Sequence, residues 1–220
     1  MENATSGEGP EQEATPQELQ SLQLPLNDEQ VAQLHAGEWY ALEGSMYLIS
    51  WKASQKLLID AQNGVEWPFT PDNAFIFHGT VNPAPWGKVI GSFGPEYTSR
   101  FYEADRLLLE QGARGFLGRG PKADPLIDAL KLRHGVYLTV ASGTAALLAR
   151  AVQQSEVIGY PELGLDAILR ITVSKLPAIL AVDGFGRNLF TVPEEPPTPD
   201  DEIDPPEQVD VEQEDEPSEE

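Results

Sequence analysis

Residues 115–149 read GFLGRGPKADPLIDALKLRHGVYLTVASGTAALLA. Two short apolar runs, Phe116–Leu117 and Val136–Val140, each end in a glycine-bounded turn and lead into a segment with helical spacing. The first helix is expected over Pro125–Leu132, capped by Asp124, with Pro125 at the favoured first helical position. The second is expected over Thr144–Val152. Strand, turn, helix, repeated, is the alternation of a parallel sheet covered by helices. Upstream, FIFHG (Phe75–Gly79) reads as a short buried strand, Val81–Gly87 as loop, and KVIGSFG as strand and turn. Thr98 or Ser99 is then expected to cap a helix running to about Gln111. At the outer ends, EWYALEG and SMYLIS read as two short strands around Gly44, followed by a helix over Trp51–Ala61. Strands are also expected at Ile168–Val173, Ala178–Asp183 and Leu189–Val192. The strand pairs at both ends favour a mixed α/β domain over a pure doubly wound sheet.

The chain has 220 residues, with 36 Asp and Glu against 14 Lys and Arg, a formal net charge of -22. That charge is concentrated at the ends. Pro193–Glu220 holds 14 acidic residues and 7 prolines, and neither it nor Met1–Pro25 contains a Lys or Arg. The middle is close to neutral. Residues 1–23 are read as a disordered acidic arm, 24–192 as one folded domain, and 193–220 as a disordered, Pro-rich acidic tail that cannot bury enough surface to order itself. No basic footprint for nucleic acid is present. The absence of cysteine excludes disulfides, thiolate metal sites and a self-contained iron–sulfur cluster. MENATSGEGPEQEATPQ has neither the basic nor the apolar part of a secretory signal, and no apolar run is long enough for a bilayer, so a cytoplasmic protein without membrane attachment is expected.

Three glycine turns offer anion sites. After Gly94-Pro95, the hydroxyls of Thr98 and Ser99 and the fork of Arg100 stand where a helix N-terminus favours negative charge. Arg119 lies between Gly118 and Gly120 at a strand end. Ser142-Gly143-Thr144 opens the last helix. The alternatives are a simple cap for Thr98 and Ser99 and a surface salt bridge for Arg119. Neither a Walker loop nor a G-x-S-x-G elbow occurs. His35, His78 and His134 lack metal-ligand spacing, so no metal is assigned. His78 reads as a hydrogen-bonded core histidine. Trp39, Trp51, Trp67 and Trp86 are scattered and read as core or loop anchors.

Taken in order, LHAGEWYALEGSMYLISWKASQKLL, FIFHGTVNPAPWGKVIGSFGPEYTSRF, GFLGRGP, GVYLTVASGTAALLA and ELGLDAILRITVSKLPAILAVDGFGRNLF resemble the β subunit of class I fumarases and L-tartrate dehydratases, the C-terminal domain where the two parts are fused. The resemblance implies a swivelling β/β/α domain with a mixed sheet. It also implies a hydro-lyase acting on a small hydroxy-carboxylic acid, docked on an α-type subunit whose cysteines hold a [4Fe–4S] cluster; no cofactor is expected on this chain. Arg100, Arg119 and Gly143 would bind substrate, and Glu96, Thr98 or Ser99 would transfer the proton. Self-association is left open. The sequence departs from the family pattern at several points. The stretch Arg-Asp-x-Ala-His falls on Trp51, Lys52, Ala53, Ser54 and Gln55. Gly-Pro-Thr-Thr becomes Gly94-Pro95-Glu96-Tyr97, and the lysine of Gly-Lys-Gly becomes Arg119. Gly-Gly-Ala-Ala becomes Ser142-Gly143-Thr144-Ala145. The alternative is a catalytically degenerate binding or scaffold protein of the same fold.

Overall fold

A computed structural model describes residues 19–191. The arm through residue 18 and the tail from residue 192 lie outside the described residues. Strands β2 (Trp39–Ile49), β3 (Phe75–Val81), β5 (Gly115–Gly118) and β6 (Val136–Thr139) pair in parallel in that order. A long strand, β8 (Ile168–Val182), runs antiparallel to both β6 and β2, closing a ring of pairings. On the outer flank of β8 lies β7 (Val152–Gly159), and β4 (Phe93–Pro95) pairs antiparallel with β3. Helices α2 (Trp51–Gln62), α3 (Tyr102–Glu110) and α4 (Asp124–Leu132) cover the parallel strands. The layers are therefore sheet, sheet and helix, the mixed β/β/α arrangement expected.

Burial on both faces explains why the parallel strands lack polar alternation. Phe75 and Phe77 on β3 join Leu117, Leu138 and Leu180 in the core between the sheets. Ile76, one residue over, faces the helices with Phe116, Leu57, Leu108 and Leu130. Side chains alternate across a strand, so one short apolar run serves two cores. Each fully buried Phe or Leu contributes roughly 1.5–3 kcal/mol.

Several element expectations are corrected. EWYALEG and SMYLIS form one strand, β2, because a bulge between Leu42 and Gly44 absorbs the irregularity. Gly44 there has φ +117, and a Cβ would meet the Leu24 carbonyl at 2.5 Å. The strands expected at Ile168–Val173 and Ala178–Asp183 are likewise one, β8. Pro177 is tolerated because β7 has ended at Val152–Val173 and β6 starts only at Thr139–Ile179, so β8 has one neighbour there. The edge strand β7 was not expected; half of its residues are exposed, and Gln153–Glu156 is a polar run. Leu189–Val192 is not a strand: Asn188 makes a single bridge to Val182, and Val192 is outside the described residues. The arm expected through residue 23 ends in a strand, β1 (Gln20–Gln23), parallel to β2, with Leu22 4% exposed. Helix α1 (Asp28–Gln33) was not expected, whereas α5 (Ala145–Ala151) falls within the helix expected over Thr144–Val152; they pack Val31 and Leu148 into the inter-sheet core. The cap of α4 is Ala123, with Asp124 inside the first turn.

Candidate functional site

Parallel strands bring their carboxyl ends to one edge, where the loops that leave them carry Arg119, Ser142 and Gly143, while antiparallel β4 leads Glu96 and Thr98–Arg100 in beside β3. Ser50, after β2, caps α2 by accepting from the Ala53 N–H. Glu96 follows β4, Arg119 follows β5, and Ser142 and Gly143 follow β6. The β3, β4 and β5 ends are tied by main chain: Glu96 N–H donates to His78 O, Arg119 N–H to Glu96 O, and Thr98 N–H to Arg119 O.

The glycines around Arg119 have separate steric reasons. A Cβ at Gly118 would lie 2.1 Å from the Thr98 methyl, and one at Gly120, which has φ +82, would lie 2.6 Å from the Tyr97 ring. The turn thus packs tightly beneath while the Arg119 side chain stays exposed. Its guanidinium donates to Ser142 Oγ at 3.2 Å and stands 5.7 Å over the Tyr97 ring. Arg119 enters no salt bridge among the described residues. Gly143 also has φ +82, with open space where a Cβ would project.

Glu96 and Arg100 form a second group. Glu96 accepts from the Trp51 backbone N–H at 3.3 Å, the Thr80 hydroxyl at 2.8 Å and Arg100 at 3.4 Å. Its side chain is 15% exposed. Arg100 lies 4.6 Å over the Trp51 ring, which meets Phe101 edge-on at 5.6 Å. The two guanidinium groups therefore engage different partners.

Thr98, expected as a proton-transfer residue, lies beneath the Arg119 turn. Thr98 is fully buried, its hydroxyl donating to Arg119 O at 3.2 Å and standing 3.2 Å from Tyr137 Oη. Tyr137 donates to Gly120 O at 2.6 Å, and burial pushes its hydroxyl pKa up. Both hydroxyls fasten the Arg119 turn from below. Ser99 is exposed and makes no side-chain hydrogen bond among the described residues. Neither Thr98 nor Ser99 caps α3, which is entered through a 3₁₀ turn over Thr98–Phe101 with no side-chain cap.

A buried ionic cluster beneath the turn was missed. His78 Nε2 is 2.5 Å from Asp105 Oδ1, Lys122 is bonded to Asp105 Oδ2, and all three residues are buried. His78 is thus the hydrogen-bonded core histidine expected. It stacks on Phe101 at 3.9 Å, and its Nδ1 has no partner among the described residues. Burial works against ionised Asp105, but the charges of His78 and Lys122 outweigh it and hold the carboxyl below its usual range. Burial pulls the Lys122 pKa down, with Asp105 opposing. The signal was present: Asp105 stands four residues after Phe101 and three before Leu108, on the apolar stripe of α3.

A groove of about 710 Å³ runs along residues 64–71 and α3, and no candidate residue lines it. Among the described residues no three His, Cys, Asp or Glu side chains gather as metal ligands, and the sequence has no cysteine, so this chain's donors do not fit an iron–sulfur cluster. Among the described residues no helix is long and apolar enough to cross a membrane.

Residues 1–192 match the family model described as Fumarase C-terminus. The chain is 31% identical over 164 residues to the aerobic class I fumarate hydratase of Escherichia coli K12, covering 73% of this chain and 30% of that protein. To fumarate hydratase 2 of Leishmania major it is 28% identical over 174 residues, 77% of this chain and 31% of that protein. A protein assigned as the β subunit of an L(+)-tartrate dehydratase in Methanocaldococcus jannaschii is 25% identical over 174 residues, 75% of this chain and 88% of that protein. The chain thus spans under a third of those fumarate hydratases and most of the β subunit.

Proposed function

The chain belongs to the fumarase C-terminus family, and from that premise we propose that it is the β-type part of a hydro-lyase acting on a hydroxy-carboxylic acid. It works with an α-type partner chain that carries the [4Fe–4S] cluster. The match to most of a tartrate dehydratase β subunit supports a chain that pairs with a separate α part. The observation that carries the reading is Arg119, held between Gly118 and Gly120 and presented beside Ser142 at the carboxyl ends of β5 and β6. A guanidinium fork fits a carboxylate through two parallel hydrogen bonds. Ser142 and the turn at Gly143 supply polar neighbours on the same rim. This chain's share of the reaction is to hold and orient that carboxylate, since Thr98 is buried and Glu96 is bound by three donors.

The test is anaerobic purification of the full chain from its source, alone and with co-eluting chains, followed by assay on hydroxy acids with one carboxylate, such as lactate, and with two, malate and tartrate, and on fumarate. Turnover is expected only in fractions containing an iron–sulfur chain. Turnover by the isolated chain above a heat-killed control would overturn the proposal. A second reading, a degenerate scaffold domain, is favoured by the position of Glu96; a stable complex with no turnover on any hydroxy acid would support it.

A further inference from the structure

Resting on the carboxylate-binding reading above, the geometry narrows the substrate. Fumarate and tartrate, named in the relatives, each carry two carboxylates, so a site for either needs two anion-binding positions. Arg119 with Ser142 supplies one. The other position this edge offers is the start of α2, where the Trp51 N–H, the Thr80 hydroxyl and the Arg100 guanidinium converge. That is a donor set suited to a carboxylate: a helix N-terminus, a hydroxyl and a cation. It already holds one. Both oxygens of Glu96 are engaged there, Oε1 by Trp51 at 3.3 Å and Thr80 at 2.8 Å, and Oε2 by Arg100 at 3.4 Å.

Glu96 is also fixed at its main chain, donating to His78 O at 2.8 Å and accepting from Arg119 N at 3.1 Å. A tethered carboxylate competes at a high effective concentration with any that arrives from solution. An incoming second carboxylate would therefore have to displace it and then sit beside its charge. We propose that Glu96 is a built-in carboxylate that closes one of two anion positions, so that this site takes a hydroxy-monocarboxylic acid, or the enoic acid formed from it, in place of a dicarboxylate. The reaction is the loss of water. One C–O and one C–H bond break, a C=C bond forms, and the hydroxyl leaves with the proton as water; hydration is the reverse.

The experiment is an NMR titration of the full-length chain with lactate and with succinate, on wild type, Glu96→Thr, Glu96→Gln and Arg119→Ala. Wild type is expected to bind the two anions within about threefold of each other, with shifts centred on Arg119 and Gly143. Both Glu96 variants should bind succinate at least about tenfold more tightly, a free-energy change of about 1.4 kcal/mol, with lactate nearly unchanged. Glutamine keeps the side-chain shape, so it still reports if the threonine variant fails to fold. A wild-type preference for succinate of about tenfold, or Glu96 variants that leave succinate unchanged, would overturn the inference while the carboxylate reading stands. Absence of binding to wild type, or binding that Arg119→Ala leaves intact, would sink that reading and this inference with it.

Discussion

Arg119 shows how much a single side chain depends on its neighbours. Its guanidinium is exposed, yet the turn beneath is fixed by two glycines that admit no Cβ and by the hydroxyls of Thr98 and Tyr137. Replacing Arg119 with Ala should cost about 1.5–3 kcal/mol of carboxylate affinity, the scale of a hydrogen bond to a charged group, with little change in melting temperature. Lysine should recover only part of that loss, because a single ammonium cannot form the two-pronged contact. Titration calorimetry against lactate measures both; equal affinity in Arg119→Ala would remove Arg119 from the site. Its role as a candidate was legible because glycines flank a lone cation at a strand end. The occupation of the second anion position by Glu96 was not legible, since nothing in Gly94-Pro95-Glu96-Tyr97 says which donors the carboxylate meets. That position is assembled from β3, α2 and the segment after β4, far apart in sequence.

At the scale of elements, Asp105 joins α3 to β3 through His78 and to the segment after β5 through Lys122. Replacing it with Asn leaves Lys122 buried without its carboxylate, so a loss of about 3–5 kcal/mol is expected in urea melts. The pH dependence follows from the sign of its shift. The folded carboxyl titrates below the ordinary value of about 3.9. Its contribution is therefore complete above that value and disappears as pH falls through the folded one. Asp105→Asn should flatten this acid limb of the stability curve; an unchanged limb would mean that other carboxylates set it. Strands β3, β5 and β6 were readable because their apolar runs are bounded by glycine, and α2 because Ala53, Leu57 and Leu58 share one face. The polar edge strand β7 carried no such pattern, and only its pairing with β8 makes it a strand. The division of β2 and β8 failed for a related reason: glycine and proline punctuate a chain locally, whereas a bulge or a one-sided neighbour lets a strand continue through them.

Across the whole molecule, the acidic excess is concentrated at the ends of the sequence. Two apolar cores are packed among the described residues. Removing residues 1–18 and 192–220 should thus raise the isoelectric point and leave the melting temperature within a few degrees. Extending the first cut through Leu24 is a different experiment. It deletes β1, exposes the β2 edge that Gln20–Gln23 covers, and takes Leu22 and Leu24 out of the inter-sheet core. It also removes the main-chain hydrogen bond from Leu24 N to Glu43 O at 2.7 Å. Two buried leucines contribute roughly 3–6 kcal/mol together, a large part of the 5–15 kcal/mol that holds a typical domain folded. For a domain of this size that corresponds to a fall on the order of 10–20 °C. Scanning calorimetry of the two truncations separates them: a shallow first step and a steep second one is the expected pattern. An equal loss in both would mean that residues before Leu19 carry packing of their own, and no loss in either would mean that β1 contributes nothing to the closed sheet.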